Sequence, residues 1–206
     1  LDLQIALFLG QDGLVNGAIY ALLALALVLV FSVTRVIFIP QGELVAFGAL
    51  SLATLQRGEI PATYWLVVAL SILTLGIELW RWRRDPQVEL RMTLFWALGL
   101  PALTGLLMTL QPRFWPGSLA LQSLTTVLLI TPLGPLLYRL AYRPRADASI
   151  LVLLIVSVAV HGILVGLGLW FFGAEGWRTP PFSDARFDWA GVTVSGQSIV
   201  VIGSVI

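Results

Sequence analysis

The chain has 206 residues, 58% of them hydrophobic and only 11% charged, with a net charge of +1 and no cysteine. Ordinary soluble domains carry roughly 25% charged residues, so this composition points to a membrane protein. It excludes a disulfide framework, a thiolate nucleophile and a cysteine metal site, and it lacks the concentrated basic face that nucleic acid requires.

The chain opens at Leu1 without an initiator Met, shows no signal peptide, and stops inside the apolar run SIVVIGSVI. It is therefore expected to be part of a longer polytopic protein. The first predicted span runs from Leu14 to Val33, ahead of Arg35. The second covers Val36 to Leu55 and contains Pro40, Gly42 and Glu43. About 20 apolar residues suffice to cross a bilayer. A carboxylate inside such a run costs roughly 2.5–3.5 kcal/mol, so Glu43 is expected to face protein or a water-filled path. The Pro-x-Gly beside it predicts a discontinuous helix, which is tolerated at membrane depth where it lines a cavity.

Arg57, Gly58, Glu59 and Pro61 form a turn, and a third span covers Ala62 to Leu79. A charged loop follows, with Arg81, Arg83, Arg84, Asp85, Pro86, Glu89 and Arg91, and then a fourth span from Met92 to Leu110. The fifth span, Leu119 to Tyr138, holds Pro132, Gly134 and Pro135 and is expected to kink. Arg139, Arg143, Arg145 and Asp147 close it, a sixth span covers Ile150 to Phe172, and residues 173–196 form a polar segment before a seventh span near Gln197. The fold class read from this pattern is an all-α polytopic membrane bundle of about six to seven spans. Arginines crowd the loops after the third and fifth spans, which places both in the cytoplasm and the 173–196 segment outside.

Three blocks of sequence carry a resemblance. The first is GLVNGAIYALLALALVLVFSVTRVIFIPQGELVAFGAL, with Gly13, Leu14, Gly17, Tyr20, Ala21, Leu22 and Ala24, then Gly42, Glu43, Gly48 and Ala49. The second is RLAYRPRADASILVLLIVSVAV from Arg139, and the third runs from Phe172 and Gly173 through Phe187 and Gly191 to Ser195 and Gln197. In this order they resemble the permease subunits of branched-chain amino acid ABC importers. Phe38, Ile39, Pro40 and Gln41 stand where that family has Asn-Phe-Ala-His, and residues 80–122 read as an insertion long enough for two extra crossings.

The resemblance implies a multi-pass permease of a bacterial inner membrane that translocates branched-chain or hydrophobic amino acids, with urea or short amides as the second substrate class. It implies as partners a second permease subunit, two ATP-binding subunits that use the ATP, and a periplasmic substrate-binding protein. Gln41, Gly42, Glu43, Asn16, Gly17 and Tyr20 are the candidate substrate path, and Arg139, Tyr142 and Arg143 a cytoplasmic anchor. The chain itself is expected to need no cofactor, metal or catalytic residue, since it lacks G-x-S-x-G, H-E-x-x-H, C-x-x-C and a P-loop lysine.

Plainer readings stand beside these. Glu43 fits a structural carboxylate at a helix N-terminus as well as a path residue. Asn16, Ser32 and Gln41 fit interhelical hydrogen bonding. His161 fits a hydrogen-bonded packing residue better than a proton relay. Trp65, Trp80, Trp82, Trp115 and Trp177 fit an interfacial aromatic belt. Two further function classes remain open: an ion-coupled secondary transporter with Glu43 as the coupling carboxylate, and an intramembrane enzyme using Asp184, Arg186 and Asp188.

Overall fold

Apolar helical sequence broken by prolines gives a structure made of helices that start, stop and change pitch at those prolines. The computed structural model describes residues 3–203 except 85–89, 115–116, 178, 180, 184 and 190–191. Two compact units emerge, one formed by Leu1–Arg35 with Pro180–Ile206 and the other by Val36–Thr179.

The first unit is built on α1 (Leu3–Thr34), β1 (Arg186–Trp189), β2 (Val192–Ser195) and α9 (Gly196–Gly203). α1 begins at Leu3 rather than Leu14, because nothing in LQIALFLGQD breaks a helix and Gly10 and Gly13 weaken one without stopping it. It ends where Arg35 turns left-handed at φ 57° and donates its N–H to the Phe31 carbonyl at 2.8 Å. Gln11 donates from Nε2 to Ser198 Oγ at 3.3 Å, tying α1 to α9. The two strands form an antiparallel hairpin within the segment expected to be only a polar loop. Its register puts Phe187 opposite Val194 and Trp189 opposite Val192. Ser195 ends the hairpin and caps α9, its Oγ accepting from Ser198 N at 3.2 Å.

The second unit holds α2 (Gln41–Gln56), α3 (Ala62–Arg84), α4 (Leu90–Leu94), α5 (Leu100–Phe114), α6 (Leu119–Ile130), α7 (Leu133–Leu137) and α8 (Ile150–Phe172). One local device recurs. Between α4 and α5 the backbone widens into a π turn, Phe95–Gly99, in which Leu100 N bonds the Phe95 carbonyl, just before Pro101. After α7 a second π turn, Tyr138–Tyr142, has Arg143 N bonding the Tyr138 carbonyl, just before Pro144. A proline has no N–H for the carbonyl four residues back, and a single wide turn is one way a helix absorbs that loss. The kink expected in the fifth span falls at Thr131 and Pro132, between α6 and α7.

Among the described residues, five helical stretches are long and apolar enough to cross a membrane: Ile5–Thr34, Ala62–Arg84, Arg91–Gln111, Leu119–Arg145 and Ile150–Phe172. α2, with 16 residues, is about 24 Å long, short of the roughly 30 Å of a hydrocarbon core. Residues 80–122 hold one such stretch of their own, between the end of α3 and the first turn of α6. Phe47, Val67, Leu129, Leu133, Leu136 and Leu164 centre the core of this unit. Hydroxyls share it: Ser51, Thr63, Thr74, Thr104 and Thr125 are fully buried. Ser51 donates to Thr63 at 2.7 Å and joins α2 to α3, while Thr74 and Thr125 bond back to their own helices. Polar contacts of that kind hold apolar helices together where no hydrophobic driving force distinguishes neighbour from lipid.

Candidate functional site

The segment ahead of α2 is the structural oddity of the second unit. Residues 36–40 are not helical, yet Val36 and Pro40 are buried. Its backbone groups therefore need partners. Ile39 N bonds the Ile37 carbonyl at 3.0 Å, and that same carbonyl accepts from Ser157 Oγ of α8 at 2.6 Å. Ser157 Oγ is also 2.8 Å from the Tyr142 hydroxyl. Tyr142 is buried beneath Phe38 and stacked on Tyr138. A carbonyl in the non-helical segment before Pro40 is thus met by the Ser157 hydroxyl, itself beside that of Tyr142. Tyr142, expected with the arginines as an anchor, is buried against Ser157, Phe38 and Tyr138.

α2 starts beyond that segment with Pro40 at its N-cap, a residue with no side-chain acceptor for the free amides. Glu43 in the first turn supplies the negative charge that a helix N-terminus favours. Its Oε1 lies 2.8 Å from Nδ1 of His161, at ion-pair distance, although Nδ1 makes no hydrogen bond of good geometry. Glu43 Oε2 is buried without a hydrogen bond among the described residues. The Glu43 side chain is 16% exposed and that of His161 41%, so the pair is open from the histidine side. His161 lies about midway along α8, some 17 Å from its start at Ile150. The chain's one histidine therefore meets the one carboxylate of α2 halfway along an apolar helix.

Of the other candidate path residues, Gln41 is half-buried and Gly42 exposed, both beside Glu43 in the first turn of α2. Asn16, Gly17 and Tyr20 belong to α1 in the other unit, where all three are exposed, Tyr20 by 71%. Ser32 bonds its own helix at the Leu29 carbonyl. Asp184 and Trp115 lie outside the described residues. Arg186 and Asp188 pair with Ser195 and Thr193 in the hairpin register.

A second polar cluster was not anticipated. Glu78, near the end of α3, is 1% exposed, and its Oε1 receives Nη1 of Arg143 at 2.6 Å, Arg81 at 3.5 Å and Arg139 at 3.7 Å. Arg139 also donates to Thr93 Oγ1 at the end of α4. The arginines of the two loops that orientation had assigned to one side thus converge at one end of the unit. Arg57, by contrast, stacks 4.0 Å over Trp177, whose Nε1 donates to the Phe172 carbonyl at the C-terminal end of α8.

Sequence reasoning singled out Glu43 but did not pair it with His161. The usable signal was scarcity: one histidine and few acids in apolar helices, each costly alone. For Glu78 the signal was Arg81 three residues later on the same helix face.

Comparison with known protein families, with characterised proteins and with solved structures finds no match for this chain.

Proposed function

We propose that the chain is the transmembrane permease subunit of an ATP-binding-cassette importer, multi-pass in a bacterial inner membrane, with branched-chain or other hydrophobic amino acids as cargo. The observation that carries the transport reading is the Glu43–His161 pair: two ionisable side chains 2.8 Å apart, midway along an apolar helix, next to backbone that is not helical. Ionisable groups at membrane depth cost several kcal/mol and sit where they serve a path or a partner. Discontinuous helices beside such groups are the usual build of a translocation site. In this reading α2 is a half-span whose broken entrance at 36–40 faces the path. With the five long helices and α9 it makes up the six to seven crossings.

The importer class and cargo rest on the three resembling sequence blocks. Energy then comes from two ATP-binding subunits, with a second permease subunit and a periplasmic binding protein completing the assembly. One observation favours a second reading. A histidine facing a carboxylate can exchange a proton, so an ion-coupled secondary transporter fits the same pair. The deciding experiment is uptake into proteoliposomes holding the full chain with its neighbouring ATPase, permease and binding-protein gene products. The importer reading expects leucine uptake that needs internal ATP and survives a proton uncoupler. Uptake by the chain alone, driven by a pH gradient and abolished by the uncoupler, would replace it with the second reading.

A further inference from the structure

The Glu78 cluster holds more charge than it neutralises. One carboxylate faces three guanidinium groups, and among the described residues no other acid pairs with them. Among the described residues this leaves a surplus of two positive charges. Glu78 is sealed in, but the arginines are not: Arg81 is 29% exposed, Arg139 17% and Arg143 39%. Each guanidinium has five N–H donors in a planar fork, and the contacts described use one nitrogen of each. All three contact the same Glu78 oxygen, and the partly exposed guanidinium groups keep further N–H donors beyond those contacts.

The surroundings are those of a bilayer boundary. Trp80 and Trp82 are exposed on α3, together with Leu79, and Tyr138 is exposed beside Arg139. Arg84 lies 3.9 Å over the Trp80 ring, held flat against the aromatic surface. Aromatic rings at a helix end with arginine above them match the headgroup level of a membrane. A basic pocket between helix ends on the cytoplasmic side is the arrangement that binds acidic lipid headgroups.

We propose that Arg81, Arg139 and Arg143, arrayed around Glu78, form a binding site for the phosphate of an anionic phospholipid in the cytoplasmic leaflet, with Trp80 and Trp82 against its acyl chains. Glu78 fixes the forks in place while cancelling only one of their charges. The lipid seals the ends of α3 and α4 and the π turn after α7. This inference needs the membrane placement of the bundle but not the identity of any cargo, so it stands or falls independently of transport.

The test is native mass spectrometry of the full chain released from micelles with phosphatidylglycerol, with phosphatidylcholine and with inorganic phosphate as separate arms. Retention of phosphatidylglycerol well above phosphatidylcholine is expected, with inorganic phosphate giving no adduct. Arg81→Gln, which leaves the 2.6 Å Arg143–Glu78 pair untouched, should weaken phosphatidylglycerol binding by about fivefold. Arg83→Gln, outside the cluster, serves as the charge control and should lose less. Equal retention of the two lipids, equal loss in both variants, or phosphate binding as strongly as the lipid would each overturn the proposal. Thermal unfolding in the same micelles supplies a second readout: phosphatidylglycerol should raise the melting temperature of the native chain more than that of Arg81→Gln. An identical rise in both would also overturn it.

Discussion

At the level of single residues, the chain places few polar groups in apolar helices, and several of them meet a partner from another element. Ser157 is the clearest case. Its hydroxyl serves both the Ile37 carbonyl and the Tyr142 hydroxyl, at 2.6 and 2.8 Å. Ser157→Ala should leave the Tyr142 hydroxyl without this partner and the Ile37 carbonyl with only the Ile39 N–H, and destabilise the protein by roughly 1–3 kcal/mol, read as a lower melting temperature in detergent. A melting temperature unchanged from the native chain would mean that another group reaches the hydroxyl. Ser157→Thr keeps the hydroxyl and is expected to recover part of the loss. Glu78 is the opposite type, a buried charge held by several partners. Removing its closest one in Arg143→Ala should cost up to about 3–5 kcal/mol if Arg81 and Arg139 cannot move in, and clearly less if they can.

Among the elements, prolines decide where helices change character. Pro101 and Pro144 each follow a π turn by two residues, Pro132 separates α6 from α7, and Pro40 begins α2. The change at Pro132 was readable where prolines and a glycine cluster at 132–135, whereas the non-helical residues of the second span are 36–40, ahead of Gly42 and Glu43, which lie in the first turn of α2. The π turns were not readable, because a wide turn keeps the apolar pattern of an ordinary helix. The hairpin at 186–195 was masked for a different reason. Its strands have four residues each, too short for a period-two pattern to stand out in a polar segment. Close helix approach was also invisible: a Cβ on Gly105 of α5 would lie 2.5 Å from the hydroxyl of Tyr64 on α3. Gly105→Val should therefore displace that ring and cost about 1–3 kcal/mol, measured by thermal unfolding, whereas Gly134→Ala, with open space around it, should cost less. A Gly105→Val chain as stable as the native one would show that the Tyr64 ring swings aside freely.

For the whole molecule, composition alone carried the helical class and the expectation of membrane spans. Which polar groups meet was not legible, since Glu43 and His161 are separated by more than a hundred residues and only packing brings α2 against α8. The orientation is directly testable because the chain has no cysteine to interfere with labelling. Single cysteines at Arg84 and Asp147 should react from the cytoplasmic side and one at Glu175 from the outside. Labelling of positions 84 and 147 from opposite faces would contradict the convergence of Arg81, Arg139 and Arg143 on Glu78 at one end.

The most direct measurement of the proposed importer function compares leucine uptake by the native and Glu43→Gln chains reconstituted with the neighbouring gene products in the same proteoliposome preparation, with assembly checked by co-purification. Glu43→Gln keeps the shape of the side chain but removes the charge that faces His161. Uptake is expected to fall by about tenfold or more, the scale of roughly 1.4 kcal/mol of lost charge interaction, while the subunits still co-purify. Normal uptake by Glu43→Gln, with only Glu43→Leu failing to assemble, would make the carboxylate a packing element and contradict its place on a translocation path.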